Sequence, residues 1–332
     1  MPFYQIRAPL WAALCLSGAC LGIASAKAAP ATLPVTPASI TIPGITIPGI
    51  TILRDTTYLE PGRTETLDLY LPAGRPSGTR SPGIIFIHGG GWTGGSKSES
   101  RSAEVCTTLA EAGYVCASIN YRLTKHDRWP TNVYDCKNGV RFLRYNADKY
   151  GIDTRHIGVI GGSAGGHLAL MVGMTDDVPA LEPPAPYPGV SDRVQAVVDM
   201  YGISDIRTRK NISPDGTPGE ITPLSNTVFG DKPNVTDADR ALASPAAHIS
   251  AHTPPILILH GTHDTTVDRD QSITLDKLLT AQNVPHQLIL IPGVGHTFTL
   301  EQWNHKPLPF DLRPIVVHFF DQYLKPAKSK MP

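Results

Sequence analysis

Short apolar runs recur along the chain, separated by stretches of helical or turn-like character. Residues 83–87, Gly-Ile-Ile-Phe-Ile, show no polar alternation, as a strand buried on both faces requires. Residues 114–120, 156–160, 194–200, 255–259 and 287–291 also read as strands. Residues 64–71 instead alternate polar and apolar positions, the pattern of a half-buried antiparallel strand. Between these runs, residues 100–112 read as a helix closed by Gly113. Residues 133–150 form an amphipathic pattern with Val140, Phe142, Leu143 and Ala147 toward one side, and 164–174 a helix of small and aliphatic residues.

Other stretches carry no such period. Residues 1–26 have the parts of a secretory signal: Arg7 in a short basic start, an apolar stretch from Ala8 to Ile23, and Ala24-Ser25-Ala26 as a cleavage site. A membrane anchor fits less well, because Pro9 interrupts a run that is already short. Acylation at Cys20 fits poorly, since Ser17 stands where a leucine is expected. Residues 27–53 are rich in proline and threonine and repeat Ile-Thr-Ile-Pro-Gly at 40–44 and 45–49. Proline every fifth residue forbids a helix and limits a strand to about three residues, so this reads as a linker or an edge-hugging arm. Residues 176–189 form a proline-rich loop, and 203–250 are polar and turn-rich.

Composition narrows the partners. The 332 residues are 41% hydrophobic, enough for a substantial core, and 29 Lys and Arg balance 29 Asp and Glu. No net field attracts nucleic acid or an anionic membrane, so a neutral or locally matched partner is expected. No stretch beyond the signal is long and apolar enough to span a bilayer. Three cysteines follow the signal, Cys106, Cys116 and Cys136; an odd number leaves at least one thiol unpaired, and one disulfide among them stays open. Their spacing matches no zinc motif.

The chemistry gathers at four places. In Gly161-Gly162-Ser163-Ala164-Gly165-Gly166-His167 a serine sits between glycines two residues to either side, where a strand turns directly into a helix; this is a nucleophile elbow. The strand at 83–87 runs into His88-Gly89-Gly90-Gly91-Trp92, whose backbone N–H groups can face a ligand without side chains in the way. Such donors, aimed at an oxyanion, contribute on the order of 3 kcal/mol each. A phosphate loop would need Lys-Ser/Thr directly after the glycines, and Lys97 is too distant. Asp264 lies at the tip of the strand at 255–259, facing the crevice of an open parallel sheet. Its rivals Asp268 and Asp270 read as caps or solvated groups of the following helix. His296, in Gly293-Val294-Gly295-His296, follows the last long strand and completes the chain order Ser, Asp, His. His167 lies on the elbow helix below the serine, out of reach of its hydroxyl. Trp92 is expected to narrow the acyl end of the pocket. Trp129 reads as a pocket wall or, more ordinarily, as a core residue.

His88-Gly89-Gly90-Gly91 after the third strand resembles the hormone-sensitive-lipase-like esterases of the α/β-hydrolase superfamily. Asn120-Tyr121-Arg122-Leu123 resembles them too, while Asp135-Cys136-Lys137, Val140-Arg141-Phe142-Leu143 and Tyr150-Gly151-Ile152-Asp153 are similar to the acetylxylan and feruloyl esterase branch. The resemblance implies an α/β-hydrolase fold over 54–328, with a mostly parallel central sheet flanked by helices and a small cap insert at about 203–250. It implies an ester hydrolase in which Ser163 attacks, His296 moves the proton, Asp264 orients the imidazole, and the N–H groups of Gly89, Gly90 and Ala164 form the oxyanion hole. His88 is implied to be structural. No metal or organic cofactor is required, and the expected substrate is a small-molecule or polysaccharide ester met in the periplasm or medium. A prolyl-oligopeptidase-like peptidase shares the order of the three residues, but the short arm at 27–53 cannot build that family's large N-terminal domain. A catalytically silent binding protein on this fold is the alternative from another class.

Overall fold

The computed structural model describes residues 45–47, 49–76, 78–212, 218–221 and 225–325. The signal at 1–26 and the first copy of the repeat lie outside the described residues. The strands in chain order are β1 Ile45–Ile47, β2 Ile50–Thr57, β3 Thr66–Pro72, β4 Ser81–Ile87, β5 Val115–Ile119, β6 Ile152–Gly162, β7 Ala196–Met200, β8 Lys210–Ile212, β9 Pro218–Ile221, β10 Ile256–Gly261, β11 His286–Ile291, β12 Gln302–Trp303 and β13 Lys306–Pro307. The helices are α1 Ser100–Glu111, α2 Thr131–Tyr145, α3 Ala147–Tyr150, α4 Ala164–Met174, α5 Ser225–Val228, α6 Asp237–Leu242, α7 Asp270–Ala281 and α8 Arg313–Leu324.

Nine strands form one sheet in the order β1-β2-β3-β5-β4-β6-β7-β10-β11. The first three pairings are antiparallel, and every pairing from β5 to β11 is parallel. The unbroken apolar runs follow from burial on two sides. In β4, Ile85 and Ile87 join the core with α2 and α4, while Ile84 and Phe86 join the one with α1 and α8. The helix faces come close: a Cβ on Gly158 of β6 would stand 2.8 Å from the Phe320 ring of α8.

Two boundaries differ from the sequence reading. The expected arm at 27–53 runs into the sheet, because β1 and the first half of β2 lie inside it. The three-residue limit describes β1, but β2 has eight residues. Its Arg54 and Asp55 hid it; a register shift between Leu53 and Thr56 lets Arg54 reach the buried Asp68 of β3 at 2.7 Å. The helix read over 133–150 is two, interrupted at Asn146.

The cap segment holds the antiparallel pair β8 and β9, the short α5, and α6, whose Thr236 and Asp239 form a reciprocal capping box. The cysteines divide between the two sheet faces: Cys136 packs with the α2 and α4 core, while Cys106 of α1 and Cys116 of β5 are buried on the other face with sulfurs 2.9 Å apart. Among the described residues no helix is long and apolar enough to cross a membrane.

Candidate active site

β6 delivers Ser163 directly into α4, with φ 58° and ψ −121° at the serine itself. That left-handed conformation is one L-residues adopt rarely and at a cost. The surrounding backbone enforces it. A Cβ on Gly161 would lie 2.2 Å from the Gly165 carbonyl oxygen, and one on Gly165 would lie 2.1 Å from that of Ile87. Glycine is therefore required at both places, and β4 is pressed against the elbow. The Ser163 N–H is bonded to the Met200 carbonyl at 2.9 Å, tying the turn to the end of β7.

The loop after β4 lies against this elbow. A Cβ on Gly89 would meet the Gly162 carbonyl at 2.9 Å and the Ser163 Cβ at 3.4 Å. Gly90, Gly91 and Trp92 all have positive φ, at 112°, 61° for Trp92 and 60° for Gly91. Neighbours hold the loop in place. Tyr121 donates to the His88 carbonyl at 3.0 Å, and its ring stacks on the imidazole at 4.4 Å. The Lys97 N–H donates to Asn120 Oδ1 at 2.7 Å, so Asn120 and Tyr121 together hold the loop. His88 Nδ1 donates to the Gly89 carbonyl at 2.7 Å, and burial pushes its pKa down to about 4. His88 is a neutral strut.

The remaining two groups come from loops beyond β10 and β11. His296 Nε2 stands 2.9 Å from Ser163 Oγ, and its Nδ1 stands 2.6 Å from Asp264 Oδ2. Asp264 Oδ1 accepts from the N–H groups of Thr266 and Val267 at 2.8 and 2.9 Å. Burial raises the Asp264 pKa, but hydrogen bonds from His260 and His296 overcome this and hold it well below the usual carboxylate range. The acid is thus fixed as an anion. The base loop is held by its own contacts: Trp303 donates to the His296 carbonyl at 2.9 Å, Arg101 of α1 to Thr297 O at 2.9 Å, and Tyr201 to Phe298 O at 2.9 Å.

Ser163, His296 and Asp264 are thus brought into one hydrogen-bonded line with Gly89 against the serine, although these residues span more than half of the chain. Trp92 does not serve as expected. It is 3% exposed, with its indole N–H given to His167 Nδ1 at 3.1 Å, so the ring belongs to the core beneath the loop. His167 gives its Nε2 proton to the Ala243 carbonyl at 2.8 Å, and burial lowers its pKa to about 4. Trp129 takes the core role, packed on His167 and Phe229. Asp268 is not solvated: it is 2% exposed, accepts the Lys210 N–H from β8 at 3.0 Å, and burial raises its pKa. Asp270, two residues on, is half-buried and pairs with Lys210 Nζ at 3.0 Å. Sequence reasoning passed over His260, which is fully buried against Asp264. The available signal was its place at a strand tip, before a glycine and four residues ahead of the acid.

Comparison with known proteins bears on the family. The BD-FAE family model matches residues 67–279. The chain is 32% identical over 248 residues to a probable carboxylic ester hydrolase, LipM, of Mycobacterium tuberculosis, a match covering 74% of this chain and 56% of LipM. The chain spans about half the length of the curated relatives it matches. Among solved structures, a truncated carbohydrate esterase from gut microbiota superposes with a TM-score of 0.71 at 28% identity, covering 84% of this chain and 98% of that one. An acetyl ester-xyloside bifunctional hydrolase from Caldicellulosiruptor lactoaceticus gives a TM-score of 0.59 at 28% identity, over 72% and 81%. With a family model spanning most of the sheet and the elbow at its centre, the chain belongs to the BD-FAE family of the α/β-hydrolase superfamily.

Proposed function

We propose that the protein is a carboxylic ester hydrolase working through an acyl-enzyme on Ser163. The observation that carries this is the continuous hydrogen-bonded line from Ser163 Oγ to His296 to Asp264, set under a strained elbow. Ser163 Oγ attacks the ester carbonyl while His296 Nε2 takes its proton. The carbonyl oxygen becomes an oxyanion and is received by the N–H groups of Gly89, Gly90 and Ala164. His296 then protonates the departing alcohol. Water, deprotonated by the same imidazole, releases the acid and restores Ser163. Asp264 holds the Nδ1 proton and balances the charge on the imidazolium.

Short acyl groups on a polar alcohol are the proposed substrates, and acetylated or feruloylated plant polysaccharide the natural one. The support is the polar insert at 203–250, which offers no broad apolar lid for a lipid surface, together with the carbohydrate-esterase likenesses. A signal at 1–26 would deliver the enzyme to the periplasm or medium, where such esters occur. Purified protein should hydrolyse an aryl acetate while Ser163→Ala does not; an inactive wild type would favour a silent binding fold. Rates along aryl esters from acetate to palmitate test chain length, and an optimum at laurate or beyond overturns that part. Release of acetate or ferulate from xylan fragments tests the polysaccharide assignment separately.

A further inference from the structure

We propose that His260 is a positioning residue for Asp264, a second histidine that holds the acid from behind while His296 uses it from the front; the assignment rests on the hydrolase reading above. His260 is the fifth residue of β10 and is fully buried. Its Nε2 stands 3.3 Å from Asp264 Oδ2 and 3.1 Å from the Val267 carbonyl oxygen. Both neighbours are acceptors, so Nε2 carries the proton; it donates to the Val267 carbonyl and points its charge-bearing N–H edge past it to Asp264 Oδ2 in close contact. On the other side, Nδ1 lies 2.7 Å from Ser272 Oγ of α7, which donates its hydroxyl hydrogen. Ser272 thus sets the tautomer of His260 in the way Asp264 sets that of His296.

The consequence falls on one oxygen. Asp264 Oδ1 is already held by the Thr266 and Val267 N–H groups, and Oδ2 is held by His296 and His260. An ionised carboxylate has about four acceptor sites, so these donors fill them and fix the carboxylate plane. Without His260, Oδ2 has one side-chain donor instead of two. The carboxylate becomes free to rock about its own axis and more basic, and it stabilises a charged His296 more strongly.

The surroundings favour this role over mere filling of space. Besides Asp264, His260 faces Ser272 from α7, Asp268 from the same loop and Asp199 from β7. Asp199 accepts from the Gly202 N–H at 2.9 Å, and burial pushes it up to about 7, while burial also raises Asp268. Of the three carboxyl groups around the ring, Asp264 is the one in close contact with Nε2, and it alone is held low.

The test compares His260→Leu, which keeps bulk without a donor, with His260→Gln, which restores an amide N–H at similar reach. On an aryl acetate, His260→Leu should lower kcat about 10- to 100-fold with KM little changed, as expected for a small misplacement of a working group. Its acid limb of kcat/KM should move to higher pH, and His260→Gln should recover most of the rate and the limb. A His260→Leu enzyme within about twofold of wild type in both, or a His260→Gln enzyme equally impaired, overturns the proposal. A second measurement needs no turnover: the proton shared by His296 Nδ1 and Asp264, followed by NMR, should shift downfield in His260→Leu and return in His260→Gln. No shift overturns the proposal even if the wild type proves inactive on esters, an outcome that would sink the hydrolase reading alone. If His260→Leu does not fold, Ser272→Ala leaves the ring in place but frees its tautomer; it should show the same changes in smaller measure, and unchanged kinetics and NMR would overturn the proposal.

Discussion

The two halves of the site are made of different material. The serine half is backbone against backbone: Gly161, Gly165 and Gly89 stand where any Cβ would strike a neighbouring carbonyl, and Ser163 is held at positive φ by that crowding. The acid and base half is an assembly of side-chain hydrogen bonds, from Ser272 through His260 and Asp264 to His296, with Trp303, Arg101 and Tyr201 gripping the base loop. Close packing of backbone tolerates no substitution, whereas a hydrogen-bond network tolerates one at a modest cost. The halves should therefore fail in different ways.

The largest effect removes one working group from each half. Ser163→Ala and His296→Ala should each reduce turnover by about 10⁴-fold or more, with the double variant scarcely worse, because residues that act as one unit lose their value together. Single-turnover and steady-state rates check this, and either variant keeping about a tenth of wild-type activity breaks the link between the halves.

Acid should loosen the serine half first. His88 and His167 have folded values near 4, below the ordinary imidazole value of about 6.5. Between those values the unfolded chain binds the extra protons, so stability is lost as pH falls from about 6.5 toward 4, by up to about 3 kcal/mol per ring. Asp264 is held low, so its contribution is present above the usual carboxylate value and disappears only at pH below about 4. Asp199, pushed up to about 7 by burial, gains stability over the same fall in pH and offsets part of this loss. Urea midpoints should therefore fall more between pH 7 and 4 for the wild type than for His167→Gln, and equal falls contradict the buried neutral ring.

Paired substitutions sharpen the contrast in stability. Gly165→Ala forces a Cβ to within 2.1 Å of one carbonyl oxygen and 2.5 Å of another, and should cost on the order of 3 kcal/mol or prevent folding. Ser272→Ala removes one buried hydrogen bond and should cost about 1 kcal/mol. Equal shifts in urea midpoint would erase the distinction.

The smallest effect concerns the support of the base loop. Cys106 lies on α1, the helix whose Arg101 holds Thr297 O and whose Glu104 accepts from the Leu300 N–H at 3.0 Å. Refolding in a mixture of oxidised and reduced glutathione should join Cys106 to Cys116 and leave Cys136 alkylatable. The tryptic peptide 102–122 would then be lighter by two hydrogens, and the cross-link should raise stability by about 2 kcal/mol. Two alkyl groups on that peptide would show both thiols free.

Backbone necessity is also what made the serine half legible in sequence. Gly161, Gly165 and the run at 89–91 are required by geometry that no other residue satisfies, and the double-sided burial of β4 appears directly as Gly83-Ile84-Ile85-Phe86-Ile87. The acid and base half gave up Asp264 and His296 through chain order and strand tips, but not His260, because a buried histidine is recognised only by what lies across from it. Asp268 was misread for the same reason: its partner is the Lys210 N–H, 58 residues away. Trp92 was misjudged because a position next to the glycines says nothing about which side of the loop the ring takes. The start of β2 was hidden by Arg54 and Asp55, whose charge is answered in space by Asp68 and Lys97.

The strand order has a consequence for the timing of synthesis. A growing chain presents Gly89 and Gly90 after β4, then Ser163 after β6, then Asp264 after β10, and His296 only after β11, the strand at the sheet's edge. Until His296 is made the serine therefore exists without the group that would activate it. A ribosome that stalls after Asp264 and before His296, 32 positions on, releases a chain with nucleophile, hole and acid but no base. In the proposed scheme, the cell carries no active hydrolase until the last strand of the sheet has been made.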